Sequence, residues 1–418
     1  MLGWALGHLH GGRKFVESNV HAHFSTFIFF QLLTQVVLGI YLKLHLERGI
    51  HGRIRPVFKL LHNINGKAFP IVSWTQMLFG GITALGFCQG DHLGQCLAHF
   101  IMGSAFIAYG IILTILLLVG QLWLRRTGRS QEFFDSVVIA AWGLVNSLTE
   151  HRWGTEWVRN DWQHTTMGII WFAAGLAGVW LSRDREGNPK RNFIPGFVLL
   201  MTGWAMSAHP QELMISAMTH KMFGYTLMGA GLTRMIEISF VLQDKPGIDE
   251  SGFGTHSFQY VPVFLLFASG FLFMGATEEQ MALIAWSGMD AVAYVLILYS
   301  LAFLLFLFVM MLINVYDRSA NPITAQKGLS NGHAVGEEEG RLRDAGEFEL
   351  EGLMTDEEED EEHAARRKLL DGDGFVANGH GNGNGNGNGN GFGNGYDEGA
   401  LATPSTTATV GRNNERLA

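Results

Sequence analysis

Apolar residues fill nine long stretches of the chain, near 23–42, 68–88, 97–123, 133–149, 162–181, 194–208, 213–242, 259–276 and 286–316. Within each they occupy nearly all helical faces, whereas a surface helix of a soluble protein keeps one apolar stripe. A helix needs about 20 such residues to cross a hydrocarbon layer about 30 Å thick. Barrel strands would be half as long and would alternate in polarity. The pattern predicts an all-α, polytopic transmembrane bundle of about nine spans. The stretch 194–208 is the weakest, being short and bracketed by Pro195 and Pro210.

Beyond about Arg318 the apolar pattern stops. Residues 318–418 carry seven consecutive acids, Asp356–Glu362, and then a Gly-Asn repeat over 380–391. Such a segment buries too little to fold, which predicts a disordered tail. The tail holds 19 acids against 9 bases, so the net charge of −9 belongs to it and the body is close to neutral at +1. With only 16% charged residues, the chain is neither a basic nucleic-acid binder nor one soluble domain. Membrane lipid is the partner this composition implies.

Loop charge sets the expected orientation, because Lys and Arg collect on the cytoplasmic side. The loops 43–67, 124–132, 182–193 and 243–258 hold 14 of the body's bases, and the alternate set holds 4. The expectation is a non-cytosolic segment 1–22, two transmembrane domains over 23–129 and 130–317, and a cytosolic tail over 318–418. Met1–His10 is too short for a signal-peptide core and lacks a basic start, so a translocated N-terminus implies a leader upstream. Cys88 and Cys96 flank one short loop on the non-cytosolic side. They are expected to pair as a disulfide, the alternative being two unrelated small buried side chains.

Seventeen histidines is a high count, and their depth gives them meaning, since ionisable groups inside a membrane are costly. His23 opens the first stretch, His99 the third, and His62 sits at the inner end of the second. Imidazoles facing one another from antiparallel helices can ligate a haem iron. This pattern resembles the cytochrome b561 core, which carries electrons through haems held between four helices. The resemblance pairs His23 with His99 around one haem b. His62 would need a partner near 131–138, where the chain has no histidine.

The second half resembles the fungal Ytp-type integral membrane proteins more closely. The likeness rests on Glu150-His151-Arg152, on Asp161-Trp162-Gln163-His164-Thr165-Thr166-Met167-Gly168 and on Gly203-Trp204-Ala205-Met206-Ser207-Ala208-His209. His220-Lys221-Met222-Phe223-Gly224 and Gly231-Leu232-Thr233-Arg234-Met235-Ile236-Glu237 extend it. It covers about 130–317 and implies an integral membrane protein of unestablished activity, preceded by a domain of unknown function.

His164, His209, His220 and Asp290 all fall near the outer ends of their stretches. Three imidazoles and a carboxylate are a ligand set for a divalent metal such as zinc. The alternative is four interfacial groups bonded to loops and helix caps. Arg234 and Glu237, three apart, are expected to pair or to reach the inner interface. Three readings therefore stand: a haem-bearing redox protein, a metal-dependent membrane enzyme, and a non-enzymatic membrane protein.

Overall fold

The structure, a computed structural model, describes residues 19–46, 48–151, 154–243 and 255–320. The expected tail and most of the segment 1–22 lie outside the described residues. The described chain is helical, with one isolated bridge between Arg183 and Pro189 in place of any strand. Its helices are α1 (Val20–Lys43), α2 (Ile50–Leu85), α3 (Leu93–Leu118), α4 (Gln121–Arg126), α5 (Gln131–Thr149) and α6 (Arg159–Leu181). They continue as α7 (Ile194–Ser207), α8 (Met214–Ile236), α9 (Tyr260–Met274), α10 (Glu278–Ser287) and α11 (Ala291–Ala320).

Each of the nine apolar stretches contains a helix. Among the described residues six helical stretches are long and apolar enough to cross a membrane: α1, α2, α3, α6, α9 and α11, two of them counted with the short turn before them. Glu132 and Asp135 lower the hydropathy of α5; His220, Lys221 and Arg234 do so for α8, and α7 has only 14 residues. The loop expected over 43–67 is mostly helix, because α2 begins at Ile50 and runs for 36 residues, through Pro56 and Pro70. At 1.5 Å per residue it is about 54 Å long and outreaches the hydrocarbon layer. The loop expected over 277–285 is the short helix α10, capped by the Thr277 side chain.

Close approach of small residues holds the second half together, as in other bundles where lipid removes any hydrophobic drive between helices. A Cβ on Gly203 would lie 2.5 Å from the Gly224 carbonyl oxygen, and one on Gly231 2.4 Å from the Gly196 oxygen. Those two contacts, seven residues apart on each helix, zip α7 to α8 in antiparallel register. Gly175 meets Ala140 and Gly178 meets Ser136 in the same way, joining α6 to α5. Gly103 and Gly270 join α3 to α9. Elsewhere Gly81 has open space beside it and Gly80 faces His21.

The core lies among α3, α8, α9 and α11, where Leu227, Phe267, Leu272 and Ala302 are fully buried. The hairpin of α1 and α2 leans on this core through Trp74, whose indole N–H donates to Ser104 Oγ at 2.9 Å. Outward faces of α1, α2 and α11 expose Phe30, Ile40, Ile71, Leu304 and Val315, the surface a lipid-embedded helix presents.

Candidate functional site

At one end of the bundle α3, α6 and α8 begin while α5, α7 and α9 finish. His99 stands two turns into α3, His164 two turns into α6 and His220 two turns into α8; His209 follows the end of α7. Their rings form two facing pairs. The His99 and His220 centroids are 6.1 Å apart, and those of His164 and His209 are 5.8 Å apart. Phe273, from the end of α9, stacks on His99 at 4.6 Å and closes that pair from one side.

All four rings are anchored through the same nitrogen. His99 Nδ1 meets the Gln95 carbonyl oxygen at 2.9 Å, and His220 Nδ1 meets the Ser216 carbonyl oxygen at 2.9 Å. His164 Nδ1 meets Glu150 Oε2 at 3.1 Å, and His209 Nδ1 meets Gln163 Oε1 at 2.9 Å. Each of these partners is an acceptor, so each Nδ1 carries the proton and donates it. In the neutral ring Nε2 then keeps its lone pair, which is the form in which histidine ligates a metal. His99 Nε2 is buried and has no hydrogen-bond partner. Burial holds the His209 imidazole below its usual range, helped by His164, His220 and Arg159 nearby, which favours the neutral ligand form.

Beyond these rings lies a layer of acids. Glu150 holds His164, while Asp161 accepts from His151 Nδ1 at 2.9 Å and from the Val158 N–H at 3.3 Å. Trp157 stacks on His151 at 4.0 Å.

The structure regroups the residues expected to act. His164 and His209 do come together. His220 is brought to His99, so His99 has His220 and Phe273 as ring neighbours and not His23. His23 stays on α1, which packs on α2, while His99 turns toward α8 and α9. His62 has no histidine across from it; its Nε2 lies 3.4 Å from Gln35 Nε2 on α1, and its ring fills the space beside Gly39. Asp290 is not a member of the cluster. It is the N-cap of α11, accepting from Val292 N–H at 2.9 Å and Ala293 N–H at 3.1 Å. The Cys88–Cys96 disulfide is present.

A second polar site, at the opposite end, escaped the sequence reading. Glu132, wholly buried at the start of α5, accepts from Arg234 Nη2 at 2.6 Å and from Arg191 Nη1 at 2.9 Å. Arg234 also contacts Glu237 at 2.7 Å, as its spacing leads one to expect, and both groups are buried within the bundle. Tyr109 on α3 donates to Asp135, one turn along from Glu132. Arg234, Glu237, Gln131 and Gln259 border a cavity of about 20 Å³, room for one water. Part of the signal is in the sequence: Asp135, Arg234 and Glu237 are ionisable groups inside apolar stretches, and such groups need partners.

Residues 72–317 match the family described as Protein YTP1-like, C-terminal, and residues 1–45 match a domain of unknown function. The match to the former begins inside α2 and takes in both polar ends of the bundle. Protein YTP1 of Saccharomyces cerevisiae is 46% identical over 247 residues, which is 59% of this chain and 52% of that protein. An uncharacterized membrane protein of Schizosaccharomyces pombe is 25% identical over 267 residues, covering 53% of this chain and 52% of its own length. The chain thus spans about half the length of the curated relatives it matches. No solved structure matches it.

Proposed function

The chain belongs to the YTP1-like family of fungal membrane proteins, and on that premise we propose that it binds a divalent transition metal between the imidazole pairs at one end of its bundle. The observation that carries this reading is the common anchoring of His99, His164, His209 and His220 through Nδ1, which leaves four Nε2 lone pairs at one depth.

Zinc is the metal that suits the set. Zn–N bonds of about 2.0–2.1 Å in a tetrahedron put imidazole centroids about 5 Å apart. Within the pairs the centroids, at 6.1 and 5.8 Å, need to close by about 1 Å, and the two pairs must also draw together, since no three of these imidazole nitrogens lie within 4.8 Å of one another. Neutral imidazoles add no charge of their own, and Glu150 offsets part of the cation's charge from behind His164. Four nitrogen ligands would complete the coordination shell, which favours holding the ion over hydrolysis, since catalytic zinc keeps one position open. Among the described residues the His99 ring lies against His220 and Phe273, so the haem-redox reading rests on the resemblance alone.

We place this end on the non-cytosolic side and the Glu132 network on the cytosolic side. The charge bias of 14 against 4 supports that orientation, because Arg125, Arg126, Arg129, Arg183 and Arg185 all lie at the Glu132 end.

Zinc titration of the chelator-stripped protein in detergent, without reductant, tests the reading. The expected result is one zinc per chain, weakened at least about tenfold in both His99→Ala and His209→Ala with helical content unchanged. Equal zinc binding by the wild type and both variants would overturn it.

A further inference from the structure

Outside the imidazole pairs, the turn between α2 and α3 folds over the start of α10. Cys88 and Cys96 are joined there with Cα atoms 5.3 Å apart. Cys96 is wholly buried and Cys88 nearly so, among Ile82, Phe87, Phe79 and Phe100. The third participant comes from nearly two hundred residues away. Glu279, in the first turn of α10, accepts from the Cys88 N–H at 2.7 Å and reaches toward the Gln89 N–H at 3.4 Å. One oxygen of that carboxylate and both sulfurs lie within 4.8 Å of one another.

A carboxylate this close to two sulfurs has two readings. It fastens a turn whose Cys88 has a left-handed backbone, at φ 62°, by accepting the N–H of that residue. That role needs only an acceptor, which an amide would supply equally well. It does not need an anion. Among the described residues the Glu279 carboxylate meets those backbone N–H groups and no lysine or arginine.

We propose that, once the Cys88–Cys96 disulfide is reduced, Cys88, Cys96 and Glu279 form a second metal site selective for a thiophilic divalent cation. Reduction takes two electrons from an external dithiol, which leaves as its own disulfide, while the S–S bond breaks and two S–H bonds form. Metal binding then replaces the two thiol protons, which pass to water, with two metal–sulfur bonds, and the carboxylate adds one metal–oxygen bond. Zn–S bonds of about 2.3 Å and Zn–O bonds of about 2.0–2.2 Å set donor atoms about 3.5–4 Å apart; the carboxylate oxygen already lies within 4.8 Å of both sulfurs, and the sulfurs, bonded in the disulfide, reach that spacing by separating on reduction. Two thiolates and a carboxylate at that spacing repel one another, and a divalent cation relieves the repulsion. Water completes the tetrahedron. Cys96 and His99 are three apart on α3, so the reduced site would lie one turn outside the imidazole pairs.

Cobalt(II) titration of the full chain in detergent tests the proposal, since thiolate ligation gives a near-ultraviolet charge-transfer band that imidazole does not. The band is expected in protein reduced with a dithiol and absent from oxidised protein. Glu279→Gln keeps an acceptor for the turn but removes the anion, and should weaken reduced-state cobalt binding at least about tenfold. His209→Ala should keep the band, so loss of the imidazole site would leave this one standing. Absence of the band after reduction, through misplaced sulfurs or a melted turn, would overturn the proposal. So would unchanged affinity in Glu279→Gln.

Discussion

Glu132 and Arg234, 102 positions apart in the chain, meet at 2.6 Å inside the bundle, with Glu132 wholly shielded from solvent. One carboxylate oxygen takes both Arg234 and Arg191 and so ties α5 to α8 and to the segment before α7. Removing one partner of a buried ion pair strands the other without water or counter-charge, at a cost of about 3–5 kcal/mol. Glu132→Ala is therefore expected to lower thermal stability in detergent by that order, and the exposed Glu278→Ala to leave it nearly unchanged. Equal melting temperatures for the two variants would show that Glu132 does not hold the bundle.

Glycine contacts give a second stability test with opposite signs. A Cβ at Gly203 would overlap the backbone of α8, at 2.5 Å from the Gly224 oxygen and 2.6 Å from the Met228 nitrogen. Gly203→Ala should cost about 1–3 kcal/mol, because neither backbone can yield. Gly81→Ala meets nothing within 4 Å and should gain about 0.5–1 kcal/mol from helix propensity. Paired thermal melts check the contrast, and a Gly203→Ala variant as stable as the parent would remove the register described for α7 and α8.

Zinc retention should depend on pH. Burial and neighbouring positive charge depress the His209 pKa, so the folded protein prefers the neutral ring more than the unfolded chain does. The stabilisation this supplies is fully present above the ordinary histidine pKa of about 6.5 and is lost as pH falls from there through the lowered value of the folded protein. Metal binding follows the same sign, since a proton competes for Nε2. Equilibrium dialysis should find zinc held at pH 7.5 and progressively released below about pH 6.5. Release that sets in only on the alkaline side would contradict neutral imidazole ligation.

Orientation is tested with glycosylation acceptors. One inserted after Gly154 should be modified and one inserted after Gly49 should not, if the histidine end lies outside the cytosol. Modification of the second alone would invert the assignment.

The spans were legible in the sequence because lipid demands apolar side chains on nearly all faces, and that demand leaves long runs. Helices outside the hydrocarbon face no such demand. Hence α10 and the first half of α2 read as loops, though Thr277 caps α10 and α2 continues through Arg53, Arg55 and Lys59. Depth placed His164, His209 and His220 at one end correctly. Depth does not say which helices adjoin: the resemblance pairs His99 with His23 on α1, and in the structure its ring lies beside His220 of α8. Asp290 looked like a ligand at the right depth, yet its position just before Ala291-Val292-Ala293 also fits an N-cap, the role it has. Arg234 was matched with Glu237 by spacing alone. Its stronger partner, Glu132, lies on a different helix and no local rule connects them.

The central claim is that imidazole nitrogens bind a metal, and zinc K-edge X-ray absorption on the oxidised, zinc-loaded protein tests it most directly. The account predicts a first shell of nitrogen at about 2.0–2.1 Å with the outer-shell scattering of imidazole rings and no sulfur at about 2.3 Å. A first shell containing sulfur, or oxygen without imidazole scattering, would contradict it.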